Sequence, residues 1–284
     1  MSDRPAVFQG EPGAFSEEAV IGYFGADRER AAVPTWRSVF EAVASGEAPA
    51  GVIAIESSLA GTIRETYDLL LEFHDRGVRI VGEVSVPVRL ALVALPGQSL
   101  DGIDRVYSHG QALVQADEFL RSRPWEVMTT YNTAGAARGI AERRERRAAA
   151  VASPRVAALY GLEVLADAIQ SGMENRTRFA VLAMESSPRI TSRDPIAGSR
   201  TTLVFAVRNT PGSLYRCLGA FASRGVNLSS LESRPTKQAR WEYVFWVDVD
   251  AAADDPACAG ALEDLRAETE MVRILGSYPR AADA

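Results

Sequence analysis

Short apolar runs alternate with amphipathic segments over about the first two thirds of the chain. Phe15, Ala19 and Tyr23 have helical spacing, whereas residues 51–55 form a continuous apolar run typical of a buried strand. Strands are predicted at residues 5–9, 31–34, 51–55, 78–84, 86–94, 103–107, 125–130, 148–152 and 179–184. Helices are predicted between many of them, at residues 15–24, 36–44, 62–73, 108–121 and from residue 133 onward. This order predicts an α/β fold with mostly parallel sheets.

The pattern starts again after Val84, which indicates two lobes with a cleft between them. We expect residues 1–84 together with 172–185 to form one lobe and residues 85–171 the other. Ligands of such sheets bind beyond the carboxyl ends of strands, so the segments 10–16 and 56–62 are candidate ligand loops. The stretch 170–179 leads into the last strand of this part and is expected to line the same cleft.

The composition changes at residues 186–199, where serine, proline and glycine accumulate and predict a linker. Beyond it, Leu214, Cys217, Leu218 and Phe221 give the apolar stripe of a helix within a βαββαβ order. That order is ferredoxin-like. The sequence therefore predicts a first domain at residues 1–185 and a second at residues 200–284.

The overall charge argues against several classes of partner. The 284 residues carry a formal net charge of −6, which is unsuited to nucleic acid or to an anionic membrane surface. Cys217 and Cys258 are far apart, so no disulfide framework is expected and a reducing cytosol is the default. No signal peptide or membrane span is recognisable, and two separated histidines make a zinc site unexpected. These features predict a cytoplasmic protein.

Two arginines, Arg176 and Arg178, flank Thr177 just before the last apolar run of the first domain. A guanidinium is always charged and offers a planar fork that matches a carboxylate. The pair could therefore hold an anionic small molecule beside a hydroxyl. Taken alone, the same arginines could equally be solvated or held in salt bridges.

Several ordered motifs resemble those of the prephenate dehydratase family. They are Gly-Glu-Pro-Gly-Ala-Phe-Ser at residues 10–16, Ile-Glu-Ser-Ser at 55–58 followed by Gly61, Ser-His-Gly-Gln-Ala-Leu at 108–113, Asn-Thr-Ala-Gly-Ala-Ala at 132–137, Tyr-Gly-Leu at 160–162 and Thr-Arg-Phe at 177–179. Farther along, Asn-Thr-Pro-Gly-Ser-Leu at 209–214 and Glu-Ser-Arg-Pro at 232–235 resemble the two signatures of the regulatory ACT domain. The resemblance covers nearly the whole chain.

The resemblance implies a two-lobed α/β catalytic domain, similar to periplasmic binding proteins, followed by a ferredoxin-like ACT domain. It also implies a hydro-lyase of phenylalanine biosynthesis that converts prephenate to phenylpyruvate. Prephenate carries two carboxylates and a ring hydroxyl, and loss of carbon dioxide and of that hydroxide makes the ring aromatic. Aromatisation supplies the driving force, so neither a metal nor another cofactor is expected.

Three residues are implied to be catalytic. Thr177 would assist departure of the hydroxide, and Arg178 would bind a substrate carboxylate unless it forms a structural ion pair. Glu56 would be a general acid only if burial raised its pKa, and would otherwise orient other groups.

Further residues are expected to bind the substrate or to shape its site. Ser108 and Gln111 have the spacing of a capping box, and a helix start also offers free N–H groups to a carboxylate. His109 could be structural instead, and Phe179 is expected to pack the wall of the site. The full set is Ser16, Ser57, Ser108, His109, Gln111, Gln115, Thr133 and Phe179.

Three positions depart from the family pattern. Ser57 stands where asparagine is usual, Ala54 where proline is usual, and Gly110 replaces the proline of the Ser-His-Pro-Gln segment. Serine is shorter than asparagine and lacks its amide, so a hydrogen bond to the substrate is expected to be lost or bridged by water.

The ACT resemblance implies that phenylalanine binds at an interface of a homodimer or homotetramer and controls activity allosterically. Gly212 allows a tight strand-to-helix turn there, although a purely structural dimerisation module remains the alternative. The implied ligand residues are Asn209, Pro211, Gly212, Ser213, Leu214, Glu232, Ser233, Arg234 and Pro235.

Two alternatives remain open at this point. Arogenate, which has an amino group in place of the keto oxygen of prephenate, is compatible with the same motifs. Two lobes with a cleft also describe a non-catalytic protein that binds an amino acid.

Overall fold

The computed structural model describes residues 4–172, 175–188, 190–193, 196–207, 210–235 and 243–282. The described residues form three β-sheets. The predicted α/β fold with two lobes and a C-terminal βαββαβ domain is confirmed. None of the helices in these ranges is long and apolar enough to cross a membrane.

The first lobe is a mixed sheet flanked by three helices. Its strands are β1 (Ala6–Gln9), β2 (Arg30–Val33), β3 (Gly51–Ser57), β4 (Gly61–Thr62), β5 (Val78–Pro87) and β11 (Arg176–Met184). Its helices are α1 (Phe15–Phe24), α2 (Trp36–Ala44) and α3 (Arg64–His74). The strand order is β2-β1-β3-β11-β5, with β4 beside β3.

The expectation of mostly parallel sheets is wrong for half of this lobe. Strands β1, β2 and β3 are parallel, but β11 runs antiparallel to both β3 and β5. The reason is that β11 enters the sheet only after the chain has returned from the second lobe. It fills the gap between β3 and β5, which are consecutive long strands of the first lobe.

The second lobe is a five-stranded sheet with the order β10-β6-β9-β7-β8. Its strands are β6 (Ala91–Ala94), β7 (Arg105–His109), β8 (Glu126–Thr130), β9 (Ala148–Ala152) and β10 (Glu163–Ala166). Its helices are α4 (Gly110–Gln115), α5 (Asp117–Arg121), α6 (Thr133–Arg143) and α7 (Arg155–Tyr160). Strand β7 is parallel to β8 and β9, whereas β6 is antiparallel to β9.

The single helix predicted at residues 108–121 is broken at Ala116 into α4 and α5. The carbonyl oxygen of Gln115 accepts a 2.7 Å hydrogen bond from the Ser171 amide, which belongs to the segment returning to the first lobe. This bond ties α4 to the connection between the lobes. Two chain segments make that connection, and Val88 N donates to Asn175 O across them at 2.7 Å.

The C-terminal domain has an antiparallel sheet with the order β13-β14-β12-β15 and two helices. Its elements are β12 (Ile196–Val207), α8 (Ser213–Ala222), β13 (Leu228–Pro235), β14 (Tyr243–Val249), α9 (Pro256–Glu268) and β15 (Met271–Ala281). Strand β12 begins at Ile196, inside the range predicted as a linker. The sequence also predicts a turn at residues 236–240, which lie outside the described residues.

The first lobe and the C-terminal domain share one hydrophobic core. Trp246 of β14 meets Tyr67 of α3 edge to face, with 4.9 Å between the ring centroids. Gly276 of β15 lies against the backbone of β5, where an added Cβ would come within 2.1 Å of the Ile80 carbonyl oxygen. A side chain at residue 276 would therefore separate the two sheets.

We expect Gly276→Ala to lower the free energy of unfolding by about 1–3 kcal/mol. The added Cβ clashes with the backbone carbonyl of Ile80, which cannot rotate away as a side chain could. Thermal or urea unfolding measures this change. Gly219→Ala is the matched control, since an added Cβ in the middle of α8 meets no atom within 4 Å and alanine favours helix. Equal stability of both variants would contradict the proposed contact.

Candidate active site

A cleft of about 570 Å³ lies between the two lobes of the first domain. Its walls come from the carboxyl ends of strands in both lobes and from the first turns of the helices that follow them. This volume is typical of a site for a small organic ligand. Both loops predicted to bind a ligand, 10–16 and 56–62, contribute to its lining.

Five helices of the two lobes begin at this cleft. Side chains cap three of them: Thr35 accepts from the Ser38 amide at 3.0 Å, His109 Nδ1 accepts from the Gln111 amide at 3.2 Å, and Asn132 caps α6. The starts are residues 14–16 at α1, 35–36 at α2, 63–65 at α3, 109–112 at α4 and 132–133 at α6. The first turn of a helix leaves several N–H groups without intrahelical partners, and its end carries about half a positive charge. The cleft therefore has the local potential of an anion site.

Formal charges are sparse along the same walls. Among the described residues that line the cleft, none is arginine or lysine, and Glu65 is the one carboxylate. Any attraction for an anion must therefore come from backbone N–H groups and neutral side chains. Helix starts suit this task because their N–H groups are already oriented.

Thr177 and Ser57 face each other across the β3–β11 ladder and both line the cleft. The Ser57 hydroxyl oxygen is 3.3 Å from the Ala60 amide, which closes the turn after β3. Within the described part of the chain, the Thr177 hydroxyl has no hydrogen-bond partner. Its hydroxyl is available to a ligand, and Phe179 forms the wall two residues farther along the strand.

One end of the cleft is closed by contacts between the lobes. Glu11, in the loop after β1, accepts from the Tyr131 hydroxyl at 3.0 Å and pairs with Arg138 of α6. The Tyr160 hydroxyl donates to the Pro12 carbonyl oxygen at 2.7 Å. These contacts hold the start of α6 opposite the start of α1.

Most of the predicted site residues come together in this cleft. Those that line it are Ser16, Ser57, His109, Gln111, Gln115, Thr133, Thr177 and Phe179. They come from both lobes and from widely separated parts of the sequence, so the motifs contribute residues to one cleft.

Ser108 lies elsewhere, and the capping box predicted for it is wrong. Its side chain is fully buried, and its hydroxyl donates to the Val151 carbonyl oxygen of β9 at 2.6 Å. His109 is the residue that caps α4. The strand β7 extends to His109, which turns Ser108 into the sheet and away from the cleft.

Arg178 and Glu56 also point away from the cleft, although both were expected to be catalytic. Successive residues of a strand face opposite sides, so Arg178 lies behind Thr177 at the boundary with the C-terminal domain. Its guanidinium contacts Asp248 at 2.6 Å, Glu56 at 2.9 Å and Glu83 at 3.1 Å. The expectation that Arg178 binds a substrate carboxylate is corrected accordingly: it is held in ion pairs.

The electrostatics of Arg178 agree with this placement. Burial alone would lower the pKa of the guanidinium, but Asp248, together with Tyr278, Tyr67 and Glu83, more than offsets burial and raises it. Arg178 is therefore a fixed cation whose charge is matched by carboxylates. The side chain of Glu56 is 41% exposed and pairs with Arg178, so the burial on which its role as a general acid depends is not found.

Residues 34–36 line the cleft but were missed as site residues. They follow the carboxyl end of β2 and begin α2, which is the same arrangement as residues 10–16 after β1. The rule that identified the first loop would have found this one too. Glu65 has a similar signal, because it stands in the first turn of α3 just after the predicted loop 56–62. Tyr131 carried no comparable signal.

The loop before α8 and the end of β13 form the second predicted site. Gly212 has φ +81°, a left-handed conformation that favours glycine, and Ser213 shares a 2.6 Å hydrogen bond with Thr210. Asn209 lies outside the described residues. Arg234, at the end of β13, reaches the first lobe and pairs with Asp68 of α3 at 2.7 Å.

Two family models cover most of the chain. The model for prephenate dehydratase matches residues 6–187, and the model for the ACT domain matches residues 201–267. Both matches agree with the motifs around the cleft and around Gly212.

Among relatives, the bifunctional chorismate mutase/prephenate dehydratase of Aquifex aeolicus (strain VF5) is 34% identical over 97% of this chain and 73% of its own length. Arogenate dehydratase/prephenate dehydratase 2, chloroplastic, of Arabidopsis thaliana is 37% identical over 96% of this chain and 72% of its own length. The chain thus spans somewhat under three quarters of these two relatives.

Two solved structures resemble the whole chain. Prephenate dehydratase from Arthrobacter aurescens in complex with L-Phe has a TM-score of 0.85 and 33% identity, covering 98% of this chain and 90% of that one. GqqA, described as a novel type of quorum quenching acylase, has a TM-score of 0.86 and 33% identity, covering 98% of both chains. Fold, ordered motifs and domain matches agree, and the chain belongs to the prephenate dehydratase family.

Proposed function

We propose that the chain is a dehydratase that converts prephenate to phenylpyruvate, with arogenate as the alternative substrate. The observation that carries the proposal is the cleft itself, where the Thr177 hydroxyl, which has no hydrogen-bond partner among the described residues, shares the cleft with the starts of five helices. The substrate has two carboxylates to be held and one hydroxyl to be expelled. The cleft offers N–H groups at the helix starts for the carboxylates and the Thr177 hydroxyl for the leaving hydroxyl.

The helix starts would bind the carboxylates. Ser16 at α1 and Thr133 at α6 lie on opposite lobes, so N–H groups of both first turns can approach one ligand from two sides. Gln111 and Gln115 of α4 add side-chain amides to the same wall. Because these donors are neutral, no formal cation has to be desolvated when the substrate binds.

Thr177 would assist the departure of the ring hydroxyl. The bond between the ring and its carboxylate breaks, that electron pair enters the ring, and the C–O bond breaks as hydroxide leaves. A hydrogen bond from the Thr177 hydroxyl stabilises the oxygen as negative charge develops on it. A positioned donor of this kind typically accelerates a reaction ~10²–10⁴-fold.

Ser57 would then act beside Thr177 and not in place of the asparagine amide found in the family. Its hydroxyl already accepts from backbone N–H groups of the turn after β3, so its proton can be donated towards the cleft. His109 uses Nδ1 to cap α4, which leaves Nε2–H as a donor. Phe179 supplies an apolar wall for the ring.

We propose that phenylalanine binds the C-terminal domain near the Gly212 loop and the end of β13 and regulates the cleft. The phenylalanine complex of the Arthrobacter aurescens relative supports this assignment. Strand β13 is an outer strand of its sheet and Leu231 on it is 45% exposed, which favours a homodimer or a homotetramer formed through this edge.

We propose that the protein is located in the cytoplasm, which is a reducing compartment. Cys217 and Cys258 are both free and buried, in agreement with such a location.

An acylase reaction receives less support from the geometry. Acyl transfer by a serine or threonine needs a base within hydrogen-bond reach of the nucleophile. His109, the only histidine along the described walls of the cleft, has its Nδ1 occupied by the Gln111 amide and hydrogen-bonds to no described hydroxyl.

Purified protein is expected to turn over prephenate, and addition of phenylalanine is expected to change the rate. Product formation is followed by absorbance, first with prephenate and then with arogenate, each with and without phenylalanine. Turnover of arogenate alone would move the assignment to the alternative substrate. Turnover of neither would contradict the proposed activity.

Thr177→Ala is expected to lower kcat by ~10²–10⁴-fold, because the donor to the leaving hydroxyl is lost. Thr177→Ser keeps a hydroxyl and is the matched control, expected to retain kcat to within about tenfold. Steady-state kinetics give both values, and circular dichroism checks the fold. An undiminished kcat in Thr177→Ala would remove Thr177 from the mechanism.

Gly212→Ala is expected to weaken phenylalanine binding by about fivefold or more. Alanine in a left-handed conformation costs about 1 kcal/mol, which the loop avoids by moving away from its binding geometry. Isothermal titration calorimetry measures the dissociation constant. Gly219→Ala in α8 is the control, since it changes neither a left-handed residue nor a close contact, and an equal loss in both variants would contradict a role for the loop.

A further inference from the structure

Asp248 of the C-terminal domain is hydrogen-bonded to the residue next to Thr177. Its Oδ2 is 2.6 Å from Nη2 of Arg178, and its side chain is only 4% exposed. Its other oxygen accepts a 2.6 Å hydrogen bond from Thr202, whose hydroxyl also meets that of Tyr278 at 2.7 Å. Both oxygens of Asp248 are therefore fixed by rigid β-strands.

The same guanidinium is bound by carboxylates from two strands of the first lobe. Glu56 of β3 and Glu83 of β5 flank Arg178 on either side of β11. Glu83 is in turn paired with Arg200 of β12 at 2.7 Å. Three neighbouring strands of the first lobe are thus joined to the C-terminal domain through one buried cation.

The register of the strands connects this cation to the cleft. Arg178 pairs with Glu56 in the β3–β11 ladder, and Thr177 pairs with Ser57 one residue away. The first pair faces the domain boundary and the second faces the cleft. The β3–β11 ladder is irregular immediately after this point, between Arg178 and Phe179, so β3 and β11 are not regularly paired there, whereas β11 stays in regular register with β5 from Arg176 to Val181.

We propose that Asp248 is a positioning residue for the cleft: through Arg178 it holds the end of β11 so that Thr177 stands at the correct place for the reaction. The C-terminal domain then contributes to activity without contacting the substrate. The inference rests on the proposed function, because it assigns a role to the placement of Thr177.

A positioning role affects the rate more than the binding of substrate. The carboxylates of the substrate are held at the helix starts, which are far in sequence from β11 and lie partly on the other lobe. A misplaced Thr177 hydroxyl weakens a hydrogen bond that matters mainly in the transition state. Displacement of a reacting group by about 1 Å can cost ~10²-fold in rate.

Asp248→Asn tests the proposal because it removes the charge and keeps the size of the side chain. We expect kcat to fall by about 10- to 100-fold, with KM within about threefold of the wild type. Asp250→Asn is the matched control two residues along the chain: Asp250 is bound by Asn227, Ser229, Arg280 and, at 3.6 Å, by Arg200, and forms no ion pair with Arg178 among the described residues. That variant is expected to keep kcat within about twofold.

Arg178→Lys provides a second test if Asp248→Asn does not fold. Lysine keeps the charge but cannot bridge three carboxylates with a planar fork, so kcat should fall in the same direction. The double variant Arg178→Lys/Asp248→Asn should lose little more than the worse single variant, since both act through one contact.

Three results would overturn the proposal. One is a folded Asp248→Asn or Arg178→Lys with an unchanged kcat. Another is an equal loss of kcat in Asp250→Asn, which would indicate that loss of any carboxylate near the domain boundary lowers kcat. The third is a double variant whose loss equals the product of the two single losses.

Hydrogen exchange separates this inference from the proposed function. Asp248→Asn should speed amide exchange in residues 176–179 while Asp250→Asn does not, a readout that needs no substrate. If the wild type turned over neither substrate but this difference were seen, the link would stand and the proposed function would fail. Equal exchange in the two variants would overturn the link itself.

Discussion

The charge of Arg178 is the constraint on which the arrangement of the domains depends. A guanidinium with a side chain only 13% exposed must be matched by carboxylates, because burying an unpaired charge costs several kcal/mol. Two of its partners come from β3 and β5 of the first lobe and the third from β14, so the full set is assembled only when the first lobe and the C-terminal domain are in contact. Apolar contacts such as Trp246 on Tyr67 supply area at this boundary, and the ion pairs fix its register.

Much of the fold follows from local patterns in the sequence. Apolar runs at residues 51–55 and 179–184 became β3 and β11, and the βαββαβ order of the C-terminal domain holds. The antiparallel entry of β11 between β3 and β5 could not be predicted, because it depends on where the chain returns after an entire second lobe. The break at Ala116 has the same origin, since a hydrogen bond from Ser171 fixes the end of α4.

The candidate site shows where reasoning from motifs succeeds and where strand geometry is needed. Thr177, Ser57 and the helix starts were assigned to one cleft from motifs alone, and they meet there. Arg178 is assigned to the same cleft because it belongs to the Thr-Arg-Phe motif and a guanidinium suits a carboxylate, although neighbours in a strand face opposite sides. The alternation of side chains was available from the sequence. It places Thr177 and Ser57 on one face of the sheet and Arg178 and Glu56 on the other. Which residues contact the second face can be known only once the position of the C-terminal domain is known.

Separating the formal cations from the cleft has a consequence for catalysis. Arg178 lies directly behind Thr177, yet three carboxylates compensate its charge, so its field in the cleft is small. The anion is then left to backbone N–H groups whose directions are set by helices, and such groups need not reorganise as charge moves from a carboxylate to a departing hydroxide. A flexible arginine in the cleft could follow the charge of the bound substrate and stabilise the ground state as well as the transition state. Fixed donors stabilise the charge distribution for which they are placed. The helices place the N–H groups, and the proposed task of the ion pairs at the domain boundary is to hold the end of β11, which carries the Thr177 hydroxyl.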